Sequence, residues 1–226
     1  LIFASIFWWY VAKDKNIENL SGSSEDYASS SPVKILKERK IVWVIALAPA
    51  GAASAFASVM TFWPTFALET LDLSLERVGA LLSLFTLGGM AASFLGGPLS
   101  NWIKQRRIFI WGPGILLPVI YVVLFNTTSI MFTGVLLFVA GWNAMIWVPV
   151  IRTIYYDLEL PPRETAVVVG LFMTITPIGG AVGPPIVGLV QETFGSLRYG
   201  LTTIAFLPLT LLVCGLIIPE TSPFKR

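Results

Sequence analysis

Polar side chains are scarce in the long apolar segments of this sequence, and those that occur there are the first candidates for binding chemistry. An amide or hydroxyl in such a segment needs a hydrogen-bond partner, because an unpaired polar group is costly in apolar surroundings. Each could contact a solute. The alternative is a hydrogen bond to a neighbouring helix or to the backbone of its own helix and, for the tryptophans, simple packing. Six residues form this set of cavity candidates: Asn143 with the flanking Trp142 and Trp147, and the helically spaced Ser54, Ser58 and Thr61.

Arg152 lies near the end of the apolar segment that contains Asn143, and it is followed by Asp157 and Glu159. Its long side chain can reach out of the segment and pair with either carboxylate. We therefore expect Arg152 to take part in an ion pair or a gate. If it turns inward instead, it favours an anionic solute.

Several kinds of chemistry are excluded by residues that the sequence lacks. It contains no His and one Cys, Cys214, so a Cys/His metal site and a disulfide within the chain are impossible. It has no Gly-rich phosphate loop ending in Lys-Ser or Lys-Thr. We therefore expect no enzyme activity, no metal and no cofactor, and the net charge of +2 gives no support for a nucleic-acid partner.

The composition predicts helices that cross a lipid bilayer. Hydrophobic residues make up 55% of the 226 residues and charged residues 12%, against roughly a quarter charged in ordinary soluble domains. The apolar residues form runs long enough for α-helices to cross about 30 Å of hydrocarbon. We expect an all-α membrane protein with six full transmembrane helices, at about 41–66, 78–100, 108–126, 130–155, 165–190 and 199–218.

The remaining segments flank or connect these helices. Residues 1–12 are too short to span a membrane and are interpreted as the end of a preceding transmembrane helix, the Ser-rich stretch 13–40 as a linker, and residues 219–226 as a tail. Of the 15 Lys and Arg residues, 13 fall on one side of the bilayer, and such an excess marks the cytoplasmic side. We predict a multi-pass protein of the inner or plasma membrane, with the tail and the loops 13–40, 101–107 and 157–164 in the cytoplasm.

Small residues repeat at helical spacing, as expected where helices pack closely in lipid. A Gly-Gly pair followed eight residues later by Gly occurs twice, 91 residues apart. This offset aligns 41–126 with 130–218 and predicts two inverted repeats of three helices within a bundle at 41–218; chance matching in Gly-rich helices is the alternative. The helix-packing and kink candidates are Gly88, Gly89, Gly179, Gly180, Gly183, Pro184 and Gly188.

Three stretches, in order along the chain, resemble the C-terminal half of a Major Facilitator Superfamily transporter. They are GGPLSNWIKQRR at 96–107, ELPPRETAVVVG at 159–170, and GGAVGPPIVGLVQETFG at 179–195 with ProGluThr at 219–221. The first approximates that family's basic cytoplasmic loop, with Asn101, Trp102 and Lys104 in place of its acid, its first Arg and its Gly. The cytoplasmic loop and gate candidates are Gly97, Asn101, Arg106, Arg107, Glu159 and Arg163, which the resemblance implies, together with Arg152 and Asp157 from the ion pair expected above.

The resemblance implies that a missing N-terminal half of the same protein supplies six more helices and that the two halves rock about a central site. The first and fourth full segments would then line the central cavity. The Gly-rich faces of the second and fifth segments would meet the other half and slide against it; packing within the bundle is the alternative. The expected partners are a small-molecule substrate, the lipid bilayer and the missing half.

We therefore expect secondary active or facilitative transport of a small organic solute by alternating access. A membrane scaffold or sensor that uses the same bundle without transport is the alternative. A membrane-embedded enzyme is disfavoured because no catalytic groups converge within the bilayer. No Asp or Glu lies near the middle of a segment, so the sequence does not separate symport, antiport and uniport.

Overall fold

The computed structural model describes residues 36–37, 39–157 and 161–220, apart from the side chains of Pro162 and Arg163. The predicted end of a preceding helix at 1–12 and residues 221–226 of the predicted tail lie outside the described residues. So does the predicted linker, except for its last residues.

The described residues form α-helices and no strand. The helices are α1 Lys40–Leu47, α2 Ala50–Thr70, α3 Leu75–Ile103, α4 Ile108–Asn126, α5 Ile130–Met145, α6 Trp147–Asp157, α7 Pro162–Phe194, α8 Leu197–Ile204 and α9 Leu209–Ile217. Two consecutive helices separated by only a short break are counted as one span. The described residues then contain six spans that are long and apolar enough to cross a membrane. We number them 1 to 6: Lys40–Thr70, Leu75–Ile103, Ile108–Asn126, Ile130–Asp157, Glu164–Phe194 and Leu197–Ile217.

The six predicted transmembrane segments are thus confirmed, with ends that differ by a few residues. The spans end at residues that suit chain reversal. Gly195 closes span 5 in the left-handed conformation at φ 68°, which costs glycine little because it has no Cβ. Ser196 then adopts an extended conformation and begins span 6, so two residues reverse the chain.

Span 1 is broken between α1 and α2, and a side chain of span 6 repairs the break. Pro49 lies in the break and has no N–H to donate. The Thr210 hydroxyl accepts a hydrogen bond from the Gly51 N–H at 3.2 Å and donates one to the Ala48 carbonyl at 2.9 Å. Backbone groups freed inside a membrane must be satisfied in this way, because lipid offers them no partner.

Helix α7 is continuous through Pro184, the predicted kink residue, and through Pro177 and Pro185; a bend of span 5 at Pro184 stays a prediction. Each proline removes one backbone donor but leaves the bonds on either side of it in place. Breaks in the helical backbone occur in span 1 between Leu47 and Ala50, in span 4 at Ile146, and in span 6 between Ile204 and Leu209.

Glycines allow two pairs of spans to pack closely: span 2 against span 4, and span 5 against span 1. A Cβ at Gly88 would collide with the carbonyl of Phe138, and one at Gly141 with the carbonyl of Phe85. On the other seam, a Cβ at Gly179 would lie 2.6 Å from the carbonyl oxygen of Ala50. These glycines therefore lie in seams within the bundle rather than on a free sliding face.

The remaining predicted glycines include crowded and open positions. A Cβ at Gly89 or Gly183 would also crowd the facing span, whereas one at Gly180 would make ordinary contact with Ala53. A Cβ at Gly97 or Gly188 would meet nothing within 4 Å. Only these last two lie open.

Candidate functional site

Spans 1, 4 and 5 line an open cavity of about 370 Å³. Each span contributes residues three or four positions apart, so one face of each helix forms one wall. Small residues on spans 1 and 5 leave the space, and larger ones bound it. The lining residues are Ala52, Ala53, Phe56 and Ala57 of span 1; Ala144, Met145, Trp147, Val148 and Arg152 of span 4; and Phe172, Met173, Thr176, Pro177 and Gly180 of span 5.

Arg152 is the charged residue among the described residues that line this cavity. Its side chain is exposed, and it forms no ion pair with any residue in the described ranges. The pairing with Asp157 that the sequence allowed is not made, because Asp157 pairs with Arg106 instead. Glu159 lies outside the described residues.

Two further polar atoms of the cavity wall are buried without a partner among the described residues. They are the indole Nε1 of Trp147, a residue only 4% exposed, and the hydroxyl oxygen of Thr176. Most other hydroxyls on the spans bond their own helix, as Thr174 does to the Gly170 carbonyl at 2.8 Å. Both atoms are buried, so Arg152 is the polar group that the described lining residues expose to the cavity, within otherwise apolar walls.

Of the six predicted cavity residues, Trp147 lies in this cavity. Asn143 and Trp142 line a different pocket of about 430 Å³ between spans 2, 3 and 4. The Asn143 side chain is 7% exposed and donates to the Val139 carbonyl of its own helix at 2.9 Å. A solute contact for this pair stays a prediction.

The three hydroxyl candidates of span 1 do not line the cavity either. Ser54 and Ser58 are buried where span 1 meets Gly183 of span 5, and Ser58 donates to the Ser54 carbonyl at 2.8 Å. Thr61 is exposed and donates to the Ala57 carbonyl at 2.8 Å. Thr176 was missed by sequence reasoning, although its helical spacing with Met173 and Gly180 indicates a shared face.

A second polar cluster joins the loop after span 2 to the ends of spans 4 and 6, at what we call the basic end of the bundle. Arg106 forms an ion pair with Asp157 and donates to the Asn101 side-chain oxygen at 3.4 Å. Arg107 donates from Nε to the Gly215 carbonyl at 2.9 Å. The structure thus brings together four of the predicted loop residues.

Glu220 completes this cluster and was not among the predicted site residues. Its carboxylate accepts hydrogen bonds from the backbone N–H of Arg106 at 2.9 Å and of Arg107 at 3.3 Å. These donors begin span 3, and a negative charge stabilises the positive end of a helix. Burial lowers the pKa of Arg106 from its ordinary value, and the negative charge of Glu220 opposes that shift.

One more ion pair at the basic end joins the starts of spans 1 and 5, where Arg39 lies 2.8 Å from Glu164. The side chain of Arg163, also a predicted gate residue, is not described. Within the described ranges, no group of three or more His, Cys, Asp or Glu side chains is placed to hold a metal ion.

The helices and cavity define a polytopic membrane protein. Comparison with known families gives a match to the Major Facilitator Superfamily over residues 1–184. Because the match covers most of the chain, the chain belongs to the Major Facilitator Superfamily.

Three curated proteins similar to this chain illustrate the family, and two of them are named as transport proteins. The chain is 24% identical to sodium-dependent phosphate transport protein 1 of Rattus norvegicus, over 82% of this chain and 45% of the relative. It is also 24% identical to the fosmidomycin resistance protein of Escherichia coli, over 92% of this chain and 49% of the relative. The hexuronate transporter of Bacillus subtilis is 27% identical over 61% of this chain and 32% of the relative. The chain thus spans about half the length of the first two relatives.

Proposed function

We propose that this chain forms the C-terminal half of a carrier that moves a small organic solute across a membrane by alternating access. The observation that carries the proposal is the cavity between spans 1, 4 and 5, which contains Arg152, a residue with no ion pair in the described part of the chain. In the proposed carrier this cavity is one wall of the solute site, and the N-terminal half supplies the other.

The packing of the spans supports the proposed inverted repeat. If spans 1 to 3 correspond to spans 4 to 6, the seam between spans 2 and 4 corresponds to the seam between spans 5 and 1. Both seams are closed by the Gly-Gly pairs whose 91-residue offset suggested the repeat, Gly88 with Gly89 and Gly179 with Gly180. Inverted repeats of three helices are the architecture that allows a half-carrier to rock about a fixed site.

Spans 2 and 5 expose most of their apolar surface. In their most apolar stretches, 33% of the residues of span 2 and 17% of those of span 5 are buried, against 39% to 56% in the other four. We propose that the N-terminal half covers part of both spans. Gly97 and Gly188, the two predicted glycines with open space around them, lie on these spans.

The basic end is proposed to face the cytoplasm, because most Lys and Arg residues belong to it. The Arg39–Glu164 pair joins the ends of spans 1 and 5, two of the three spans around the cavity. We propose that it helps to fix the cytoplasmic rim of the cavity. The Arg106, Asp157 and Glu220 cluster would hold spans 3, 4 and 6 together while the half moves as a unit.

The proposal is tested by uptake into liposomes that contain the full-length protein. The panel should cover sugars, organic anions, amino acids and drugs, with and without a proton gradient. We expect saturable uptake of at least one solute. Absence of uptake of every solute, from protein whose melting curve shows it to be folded, would favour the scaffold or sensor alternative.

A further inference from the structure

We infer that the solute carries one anionic group on an apolar body, and that Arg152 binds the anionic group. This inference rests on the proposed function, since it names the substrate class of the same cavity. Arg152 is exposed in the cavity, has no ion pair among the described residues, and is surrounded by apolar lining residues.

The polar groups of the wall are suited to a ligand that accepts hydrogen bonds. A guanidinium and an indole N–H can only donate, and a hydroxyl can donate as well. Arg152 is exposed and offers its donors to the cavity, and it forms no ion pair within the described ranges. The Trp147 Nε1 and the Thr176 hydroxyl belong to lining residues but are themselves buried. No Asp or Glu occurs among the lining residues that lie within the described ranges. A carboxylate or phosphate matches this set, whereas an ammonium group would find a like charge and no carboxylate.

Four other arginines have partners within the protein, whereas Arg152 has none among the described residues. Arg39 and Arg106 each face a carboxylate, Arg107 donates to backbone carbonyls, and Arg198 lies over the ring of Phe66 at 5.8 Å. Arg152 alone of these lines a cavity and has none of these partners among the described residues. A charge within a membrane span that is not paired inside the protein is costly and is most often functional.

The rest of the wall selects for an apolar body. Phe56, Met145, Val148, Phe172 and Met173 line the cavity between the polar groups. A sugar acid would bring several hydroxyls against these side chains, where they would find no partner on this wall. Inorganic phosphate would make no use of the apolar surface. An aryl or alkyl carboxylate satisfies both parts of the wall.

The test measures both binding and transport of defined probes with the full-length protein. Equilibrium dialysis gives the Kd of benzoate, phenylacetate, 3-phenylpropanoate, octanoate, the neutral 3-phenylpropanamide, glucuronate and inorganic phosphate, and liposome uptake follows the same compounds. We expect the carboxylates with apolar bodies to bind, with affinity rising about fourfold for each added methylene that the wall buries. The amide, glucuronate and phosphate should bind at least tenfold more weakly.

Variants separate the charge of Arg152 from its bulk. Arg152→Gln should weaken 3-phenylpropanoate binding on the order of 10- to 100-fold, the range expected for a hydrogen bond to a charged group. Arg152→Lys should recover part of the loss. Arg77→Gln removes the same charge from an exposed position at the far end of span 2 and should leave Kd unchanged. Melting curves show whether each variant is folded.

The two proposals fail in different ways. Equal binding of the amide and the acid, unchanged affinity in Arg152→Gln, or preference for glucuronate or phosphate would overturn the inference. Absence of binding by every apolar carboxylate would also overturn it. Binding that depends on Arg152, without uptake of any solute, would support the site and overturn the proposed transport. Uptake of a neutral solute with no carboxylate binding would support transport and overturn the substrate class.

Discussion

Replacing Gly179 with alanine should destabilise the bundle, because this glycine lets span 5 pack directly on the backbone of span 1. A Cβ at this position would lie 2.6 Å from the Ala50 carbonyl oxygen and 2.8 Å from its Cα, whereas ordinary contact begins at 3.4 Å. The obstructing atoms belong to the backbone, so no side-chain rotation can make room. The two helices must separate locally by about 0.8 Å.

The change in the free energy of unfolding is the sum of two opposing effects. Overpacking of this kind typically costs about 1–3 kcal/mol, and the better helix propensity of alanine offsets up to about 1 kcal/mol. We expect Gly179→Ala to lower the free energy of unfolding by about 1–2 kcal/mol, which corresponds to a melting temperature roughly 2–8 °C lower for a chain of this size. Fluorescence-detected size-exclusion chromatography after heating measures that shift in detergent.

Matched controls come from open glycines on the same helices. A Cβ at Gly188 of span 5 would meet nothing within 4 Å, so Gly188→Ala should melt at or above the wild-type temperature. The neighbours Gly96 and Gly97 of span 2 repeat the comparison, because a Cβ at Gly96 would lie 2.9 Å from the Ile146 carbonyl oxygen and one at Gly97 would be free. The packing explanation is refuted if Gly179→Ala melts like the wild type, or if the open positions lose as much stability as the crowded ones.

Two further substitutions test the polar contacts that hold the bundle together. Asp157→Asn should lower the free energy of unfolding by on the order of 3 kcal/mol, because it leaves the buried Arg106 guanidinium without its carboxylate. In thermal melting, the double variant with Arg106→Gln should lose less stability than the sum of the two single losses, and simple additivity would contradict the pairing. Thr210→Val should lower the free energy of unfolding by about 1–3 kcal/mol, since the Gly51 N–H and the Ala48 carbonyl lose their hydrogen-bond partner. Thr210→Ser keeps the hydroxyl and should melt closer to the wild type. Equal melting temperatures of the two variants would argue against the hydrogen bonds of Thr210 across the break.

The sequence predicted the spans well because the length and polarity of an apolar run depend on local residues alone. All six predicted segments overlap the observed spans, and Ile108–Asn126 has the predicted bounds. The breaks within spans were harder to predict. Pro49 marks the break in span 1. The bundle can accommodate this break because Thr210, which is far away in sequence, supplies the missing hydrogen bonds.

The cavity was predicted only in part, because helical spacing shows which residues share a face but not which neighbour that face meets. Asn143 and Trp147 are one turn apart, yet they line different pockets on either side of span 4. Arg152 was expected to pair with Asp157 or Glu159, and the competing partner Arg106 comes from another loop. Glu220 lies in a noted motif, but its contact with the start of span 3 depends on how spans 3 and 6 pack.

The most direct test of the proposed carrier is whether its cavity is open to water within the membrane. In full-length protein with Cys214→Ala and with any cysteine outside these 226 residues replaced by alanine, a single cysteine is introduced as Val148→Cys in the cavity wall. For comparison, it is introduced as Val213→Cys on the exposed apolar face of span 6. We predict that a membrane-impermeant maleimide labels Val148→Cys from both sides of a liposome, that 3-phenylpropanoate slows this labelling, and that Val213→Cys remains unlabelled. If Val148→Cys is as unreactive as Val213→Cys from both sides, spans 1, 4 and 5 do not line a solute pathway and the proposed function is wrong.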